Sequence, residues 1–377
     1  MTTSGKTTIA HLTSVHDPDD PRIFHKQCRS LAEAGFEVLL VAPAERDAAR
    51  DGVSIRAVPP PRGRLARMLI TTWRVWSVAR ASGARICHFH DPELIPAGLL
   101  LRLAGRRVVY DVHEDYVTAI VQKPYLPRPL ARLAGALFDG LERLAARAFA
   151  VVLAEKYYAD RFPRGRTVLN YPRVEILPQP QAAPPPGRPR LLYTGNVSAD
   201  RGADRHASLV RLLPDCEIHL VGRCFPGEAD RLRSIAGDGA GRLHIEGEDG
   251  HVPYERILAR YAEGGWTAGL ALFPRTEHYR RKELTKFFEY MAAGLPIVAT
   301  DMPVWRDVVE ANGCGICVDP DDDVAVTDAI RLLLDNPAAA RAMGRRGREA
   351  VLSTYNWDRE AARLLDLYRE LLEEGAP

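Results

Sequence analysis

The sequence predicts an α/β protein built from two doubly wound, Rossmann-like domains. Three observations carry that expectation. From Thr8 to Tyr110, short β-branched apolar runs alternate with longer stretches of helical periodicity; a proline-rich stretch, Pro172 to Arg190, interrupts them; the alternation then restarts. Ligands of such sheets bind beyond the carboxyl ends of the strands, where loops meet helix N-termini. Two such domains predict a central cleft as the natural site.

Taken in order, Thr8 to Val15, Glu37 to Val41 and Arg107 to Tyr110 read as strands of the first domain, residues 1–172. Residues 173–189 read as a stiff, extended linker. In residues 190–355 the runs "RLLYTGNVS", "EIHLVG", "RLHIEG", "TAGLALF", "PIVAT" and "GICVD" each precede a helical pattern. Residues 356–377 carry Ala361, Leu364, Leu365, Tyr368, Leu371 and Leu372 at helix spacing, a terminal amphipathic helix in need of a partner surface.

A chain of 377 residues is too long for one ordinary core, and 46% hydrophobic with 27% charged residues excludes the disordered and fibrous classes. No apolar run approaches the roughly 18 residues of a membrane span, and Met1 to Lys6 has no secretion-signal character. Six scattered cysteines suit reduced thiols in a cytoplasmic protein, and Cys314-Gly-Ile-Cys317 lacks the second pair a zinc site needs. Before Pro172 there are 25 basic and 17 acidic residues, and from it onward 26 and 32. The basic first half suits an anionic surface or acceptor; arginine-rich solvated helix faces explain it equally well. No nucleic-acid partner is expected.

Several phosphate and metal readings fail. "TTSGKTT" lacks the first glycine of a P-loop and precedes the first strand, and no GxGxxG opens the first βα unit, which instead reads "SVHDPDDPRIFHK". Asp319 to Asp321 opens a helix, where aspartates serve as caps, so no metal is expected. Better signals lie in the second half. "YTGNVSADRG" ends a strand at Gly195 and reaches Arg201-Gly202 at a helix start, which suits a diphosphate, and "HLVGRC" repeats the theme at Gly222. In "KFFEYMAAGLPIVAT", Lys286 at a helix N-terminus is unfavourable unless an anion lies nearby. Glu289 is not a capping-box glutamate, because position 286 is lysine and not serine or threonine. One turn after Thr285, it can accept two hydrogen bonds from a ribose diol while Thr285 and Lys286 hold the phosphates.

At this point the chain resembles the retaining, metal-independent GT-B glycosyltransferases of glycosyltransferase family 4. The segments that carry the resemblance are "DDPRIFHKQCRSLAEAGFEVLLVAP", "HFHDPELIPAGLLLRLAGRRVVYDVHEDY", "VLNYP", "YTGNVSADRG", "LTKFFEYMAAGLPIVATDMPVWRDVVEANGCGICVDPDD" and "YNWDREAARLLDLYREL". The resemblance implies that Glu289 binds the donor ribose and that Arg201 and Lys286 neutralise the departing diphosphate, with Gly195, Asn196, Gly222 and Thr285 around the donor. It implies that His113 faces the transferred sugar, that His16, Asp17, Asp19 and Arg22 form the first loop, and that His90, Asp91 and Glu93 lie on the acceptor side. The terminal helix would cross back to the first domain. Two positions depart from the pattern: Arg281 stands where a first glutamate is usual, eight residues before Glu289, and Asn196 where an arginine is usual. The first departure leaves Glu283 or backbone amides to hold the sugar hydroxyls.

The implied reaction is transfer of a sugar from a nucleoside diphosphate sugar to an acceptor hydroxyl of a polysaccharide, lipid-linked glycan or small natural product, with no cofactor. A nucleotide-sugar epimerase or a non-catalytic sugar-nucleotide binder remains the alternative; a phosphorylase would need a pyridoxal phosphate lysine, and Lys282 and Lys286 suit the donor better. Arg62 to Ala81 and Lys123 to Arg147 mix arginine with bulky apolar residues. Such stretches cover sheets or bind the inner face of a membrane peripherally.

Overall fold

The computed structural model describes residues 6–60, 63–121, 127–176, 187–248, 250 and 252–373. The chain divides into two compact units, Met1–Asn170 with Trp357–Pro377, and Tyr171–Asn356. Most of the proline-rich stretch read as a linker, 177–186, lies outside the described residues.

The strands of the first unit are β1 (Thr8–Leu12), β2 (Glu37–Pro43), β3 (Ala48–Arg50), β4 (Val53–Val58), β5 (Ile86–Phe89), β6 (Arg107–Val112), β7 (Ala150–Leu153) and β8 (Arg166–Thr167). They form one sheet in the order β3-β4-β2-β1-β5-β6-β7-β8, parallel except for the β3–β4 pair. Helices cover both faces, so β1 and β5 are buried nearly throughout and read as continuous apolar runs. The strand order reverses at β1, which opens the loops after β1 and β5 side by side.

Two cores flank this sheet. On one face, Val75, Ala79, Leu94, Ala97, Leu101 and Ala146 of three covering helices pack on Leu12, Phe89 and Tyr110. On the other face, Ile23, Phe24 and Leu31 pack with Trp357, Leu364 and Tyr368 of the helix Trp357–Glu373. Each large apolar side chain buried there contributes about 1.5–3 kcal/mol. The indole of Trp357 also donates to Ser30 Oγ at 2.8 Å. The terminal helix is therefore part of the first unit's core.

In the second unit, β9 (Arg190–Thr194), β10 (Glu217–Val221), β11 (Leu243–Glu246), β12 (Trp266–Ala271), β13 (Ile297–Thr300) and β14 (Gly315–Val318) form a parallel sheet in the order β11-β10-β9-β12-β13-β14. Gly195, Gly222 and Gly247 follow β9, β10 and β11. A Cβ on Gly222 would lie 2.0 Å from the Gly195 carbonyl oxygen, and one on Gly247 2.2 Å from that of Gly222. Both glycines have positive φ, and no side chain fits where these loops stack backbone on backbone.

Candidate active site

The loop after β9 runs through Gly195 and Asn196 to a 3₁₀ turn, Ala199–Arg201, and then to the helix Ala203–Leu212. Gly202 joins the last two at φ 78°, where a Cβ would meet the Leu272 carbonyl oxygen at 1.9 Å. Arg201 is thereby fixed at the mouth of this loop. The Tyr193 hydroxyl donates to the Asn196 carbonyl at 2.7 Å and holds the loop's first turn.

Lys286 enters the same place from the helix Thr285–Ala292, whose N-cap, Leu284, offers no side-chain acceptor. Its Nζ lies 3.9 Å from the centroid of the Tyr193 ring and 4.6 Å from that of Phe273. The nitrogen is buried and has no hydrogen-bond partner among the described residues. Burial, followed by the positive charge of Arg201, holds its pKa well below the usual 10.5. Two cations and the uncapped amides of a helix start thus converge, and among the described residues neither cation has an ion pair with an acid: the charge of Glu289 reaches Lys286 without a hydrogen bond. This is the arrangement expected of a phosphate site. Gly195 belongs to it: a Cβ there would stand 3.3 Å from Lys286 Nζ.

One turn along, Glu289 is buried. Its Oε1 accepts from the Tyr254 hydroxyl at 3.0 Å and its Oε2 from that of Tyr261 at 3.0 Å. Each oxygen keeps a further lone pair for a diol. Thr285 is exposed beside it, and Gly222 ends the neighbouring strand. Arg223, Phe225 and Gly250 line a pocket of about 560 Å³ past the ends of β10 and β11. Arg281 is exposed, and Glu283 accepts from the Tyr171 hydroxyl at 3.3 Å.

The first unit assembles a histidine-rich group at the ends of β1, β5 and β6. His16 Nε2 lies 2.9 Å from His113 Nε2 and 3.4 Å from Asp91 Oδ1, and His16 Nδ1 lies 3.2 Å from Asp20 Oδ2. Burial alone would lower the His16 pKa, but the Asp20 hydrogen bond and the charges of Asp91, Asp20 and Glu114 raise it to about 9. His16 is therefore an imidazolium at neutral pH, and its Nε2–H donates to His113. The proton of His113 then sits on Nδ1, 3.3 Å from the Asp111 carbonyl oxygen. Asp91 Oδ2 is held by the Thr13 hydroxyl and the Ser14 amide, and Glu93 by the Ser14 hydroxyl and Arg67.

Beneath this layer, Arg22 makes a bidentate pair with Asp111 at 3.0 Å and also donates to the Val168 carbonyl. Burial would raise the Asp111 pKa, but Arg22 and then His90 hold it well below the carboxylate range. His90 is fully buried, with Nε2 3.0 Å from His11 Nδ1, and burial depresses its pKa to about 3. Arg22 and His90, expected at the first loop and the acceptor side, thus lie below the surface in an ion-pair core. Asp17 accepts from the Asp19 amide within its own turn, and Asp19 pairs with His25 and Arg50 at the surface. Of the aspartates in this loop, Asp20 engages His16, and its i,i+4 spacing from His16 is its signal in the sequence. Tyr193, Tyr254 and Tyr261 also escaped the sequence reading, because a tyrosine at a strand or helix position carries no mark of what its hydroxyl meets.

The pattern described as "Glycosyl transferase 4-like domain" matches residues 22–195, and that of "Glycosyl transferases group 1" matches residues 285–350. The chain is a glycosyltransferase of this family. It is 26% identical over 372 residues to a phosphatidyl-myo-inositol mannosyltransferase of Mycolicibacterium smegmatis, covering 92% of this chain and 88% of the relative. A GDP-mannose-dependent alpha-(1-6)-phosphatidylinositol monomannoside mannosyltransferase of Mycobacterium tuberculosis is 39% identical over 83 residues, 22% of each chain. Among solved structures, the glycosyltransferase matches sucrose-phosphate synthase from Thermosynechococcus elongatus with a TM-score of 0.76 and 20% identity, over 97% of this chain and 99% of the other. It matches HepE from Anabaena, solved with UDP, with a TM-score of 0.70 and 12% identity over 97% and 100%. Its fold is GT-B.

Proposed function

We propose that this glycosyltransferase moves a sugar from a nucleoside diphosphate sugar to an acceptor hydroxyl, with retention at the anomeric carbon and without a metal. The observation that carries the donor half is Lys286, a buried amine with no hydrogen-bond partner among the described residues, beside Arg201 and a helix start. In the reaction the bond from the anomeric carbon to the diphosphate oxygen breaks, the acceptor oxygen takes its place, and the acceptor proton leaves with the diphosphate. Arg201, Lys286 and the helix amides stabilise the charge that grows on the leaving group. Glu289 takes the ribose hydroxyls, and the pocket at Arg223 and Phe225 takes the base. GDP-mannose is the first donor to test, because two of the relatives carry mannosyl transfer in their names.

A bilayer-borne acceptor is supported by one face of the first unit. Of twenty large apolar side chains exposed among the described residues, thirteen lie on three adjacent helical segments: five on 64–81, three on 95–103 and five on 128–146. Arg74, Arg80, Arg102, Arg128, Arg132 and Arg143 stand exposed among them. The two described acids there, Asp139 and Glu142, are half-buried or buried and pair with Arg161. An apolar and basic surface of this size fits an anionic membrane.

The test is thermal stabilisation with GDP-, UDP-, ADP- and dTDP-sugars, then product analysis by NMR for the anomeric configuration, with and without a chelator. Stabilisation by a sugar nucleotide that is lost in Lys286→Ala supports the reading. Stabilisation by none of them, or an inverted product, overturns it.

A further inference from the structure

On the second unit's sheet, Glu217 and His219 alternate with the buried Ile218 and Leu220 along β10, so both side chains leave the face opposite that core. His244 of the edge strand β11 is the direct register partner of His219. The two imidazoles stack at 4.4 Å between centroids, and both Nε2 atoms turn to one carboxylate oxygen, Glu217 Oε2, at 3.5 and 3.7 Å. These separations are long for N–H···O⁻ hydrogen bonds, which lie near 2.7–2.9 Å. They are close to what separates two ligand atoms that share a metal at about 2.0–2.2 Å in tetrahedral geometry.

The surroundings make room for a cation despite several arginines. Arg256 and Arg260 are both answered by Glu246, and Arg233 by Glu248. Arg190 donates to the Gly264 carbonyl and lies over the Trp266 ring. Glu217 meets no arginine in a described ion pair; its partners are the two histidines. His219, His244 and Glu246 line an open groove of about 430 Å³, so an ion can enter from solvent.

We propose that Glu217, His219 and His244 form a surface site for one divalent transition metal of the zinc type, with water completing the shell. Three ligands on two paired strands, one carboxylate and two imidazoles, are the donor set that suits such an ion. The metal would clip the edge strand β11 to β10 and so brace the loop at Gly247 that follows β11. It lies along the strands and not at the diphosphate loops after their carboxyl ends. The proposal does not rest on the donor reading above.

The experiment uses the full chain, freed of metal, and titrates Co²⁺, whose visible absorption reports imidazole and carboxylate coordination, followed by displacement with Zn²⁺. One equivalent of Co²⁺ should bind with a tetrahedral-type spectrum, Zn²⁺ should raise the melting temperature, and both effects should vanish in His219→Ala and in His244→Ala. His16→Ala should bind as the wild type does, because it removes a histidine from the separate, partly buried histidine group of the first unit. Absence of binding overturns the proposal. So does binding that survives both sheet variants, or that is lost in His16→Ala.

Discussion

Lys286 Nζ stands 3.9 Å from the centroid of the Tyr193 ring, and among the described residues it meets no hydrogen-bond acceptor. A cation–π contact returns part of the lost hydration, but less than an ion pair would. The unliganded protein therefore keeps a group that destabilises it and that a diphosphate relieves. Lys286→Met should abolish donor binding and make the unliganded protein more stable at neutral pH, by on the order of 1–3 kcal/mol. Between its lowered pKa and 10.5 the unfolded chain holds more protons than the folded one, so wild-type stability should rise with pH in that window. Urea titrations at two pH values measure both effects. A less stable Lys286→Met protein that still binds donor would contradict the account.

Glu289 offers a second test and a revision. Its sequence position suggests that Glu289→Ala leaves the fold intact, yet its carboxylate is the acceptor for Tyr254 and Tyr261, and Tyr261 is fully buried. The alanine variant removes the acceptor of the Tyr254 hydroxyl and leaves that of Tyr261 with Thr194 Oγ1 alone, at 2.8 Å; a buried polar group left unpaired costs about 1–3 kcal/mol. Glu289→Gln keeps an amide oxygen in place. The expected outcome is a clearly lower melting temperature for Glu289→Ala than for Glu289→Gln, with donor affinity reduced in both. Equal melting temperatures would mean that the tyrosines do not depend on this carboxylate.

What the sequence made legible follows from how each feature is encoded. The parallel sheets were readable because buried strands need unbroken apolar runs, and the ends of two strands because Gly195 and Gly222 close such runs. That these loops stack backbone on backbone, where Gly222 and Gly247 admit no side chain, shows only in the structure. Lys286 and Glu289 stood out because each breaks a local rule of an apolar helix. The first unit was harder to read. Arg22 and His90 look like surface loop residues in "DDPRIF" and "HFHDPE", and only the register of β1, β5 and β6 brings them under the site to meet Asp111 and His11. Pairing across 79 or 89 positions leaves no trace in either segment alone.

The His16 imidazolium predicts a pH dependence. Its pKa is raised from 6.5 to about 9, so its contribution to stability is full below 6.5 and is lost as pH rises through about 9. Wild-type stability should therefore carry a falling component between these values, absent in His16→Asn and reduced in Asp20→Asn. In the NMR spectrum, the His16 ring should titrate near pH 9 while His90 stays neutral through the neutral range. A His16 ring that titrates near 6.5 would remove the charge assigned to it, and with it the tautomer assigned to His113.

The exposed leucines of the helix Arg128–Ala146 decide between two occupants of its face. Leu130, Leu137 and Leu144 repeat at seven residues, the spacing that would let a second copy of the chain pack against them. The charges argue otherwise: Arg128, Arg132 and Arg143 are exposed on the same helix, and a second copy would bring the same cations against them. An anionic bilayer instead gains about 1 kcal/mol for each basic residue near its surface, in addition to the buried leucine area. The wild-type protein should sediment with vesicles containing phosphatidylglycerol at low salt, more weakly at high salt, and little with neutral vesicles. Leu137→Ser combined with Leu141→Ser should weaken sedimentation by roughly tenfold or more, since each leucine removed forfeits about 1.5 kcal/mol or more of burial. These side chains are already exposed, so the double variant should keep the wild-type melting temperature. A concentration-dependent dimer that the double variant abolishes, with no vesicle binding by the wild type, would assign the face to a second copy.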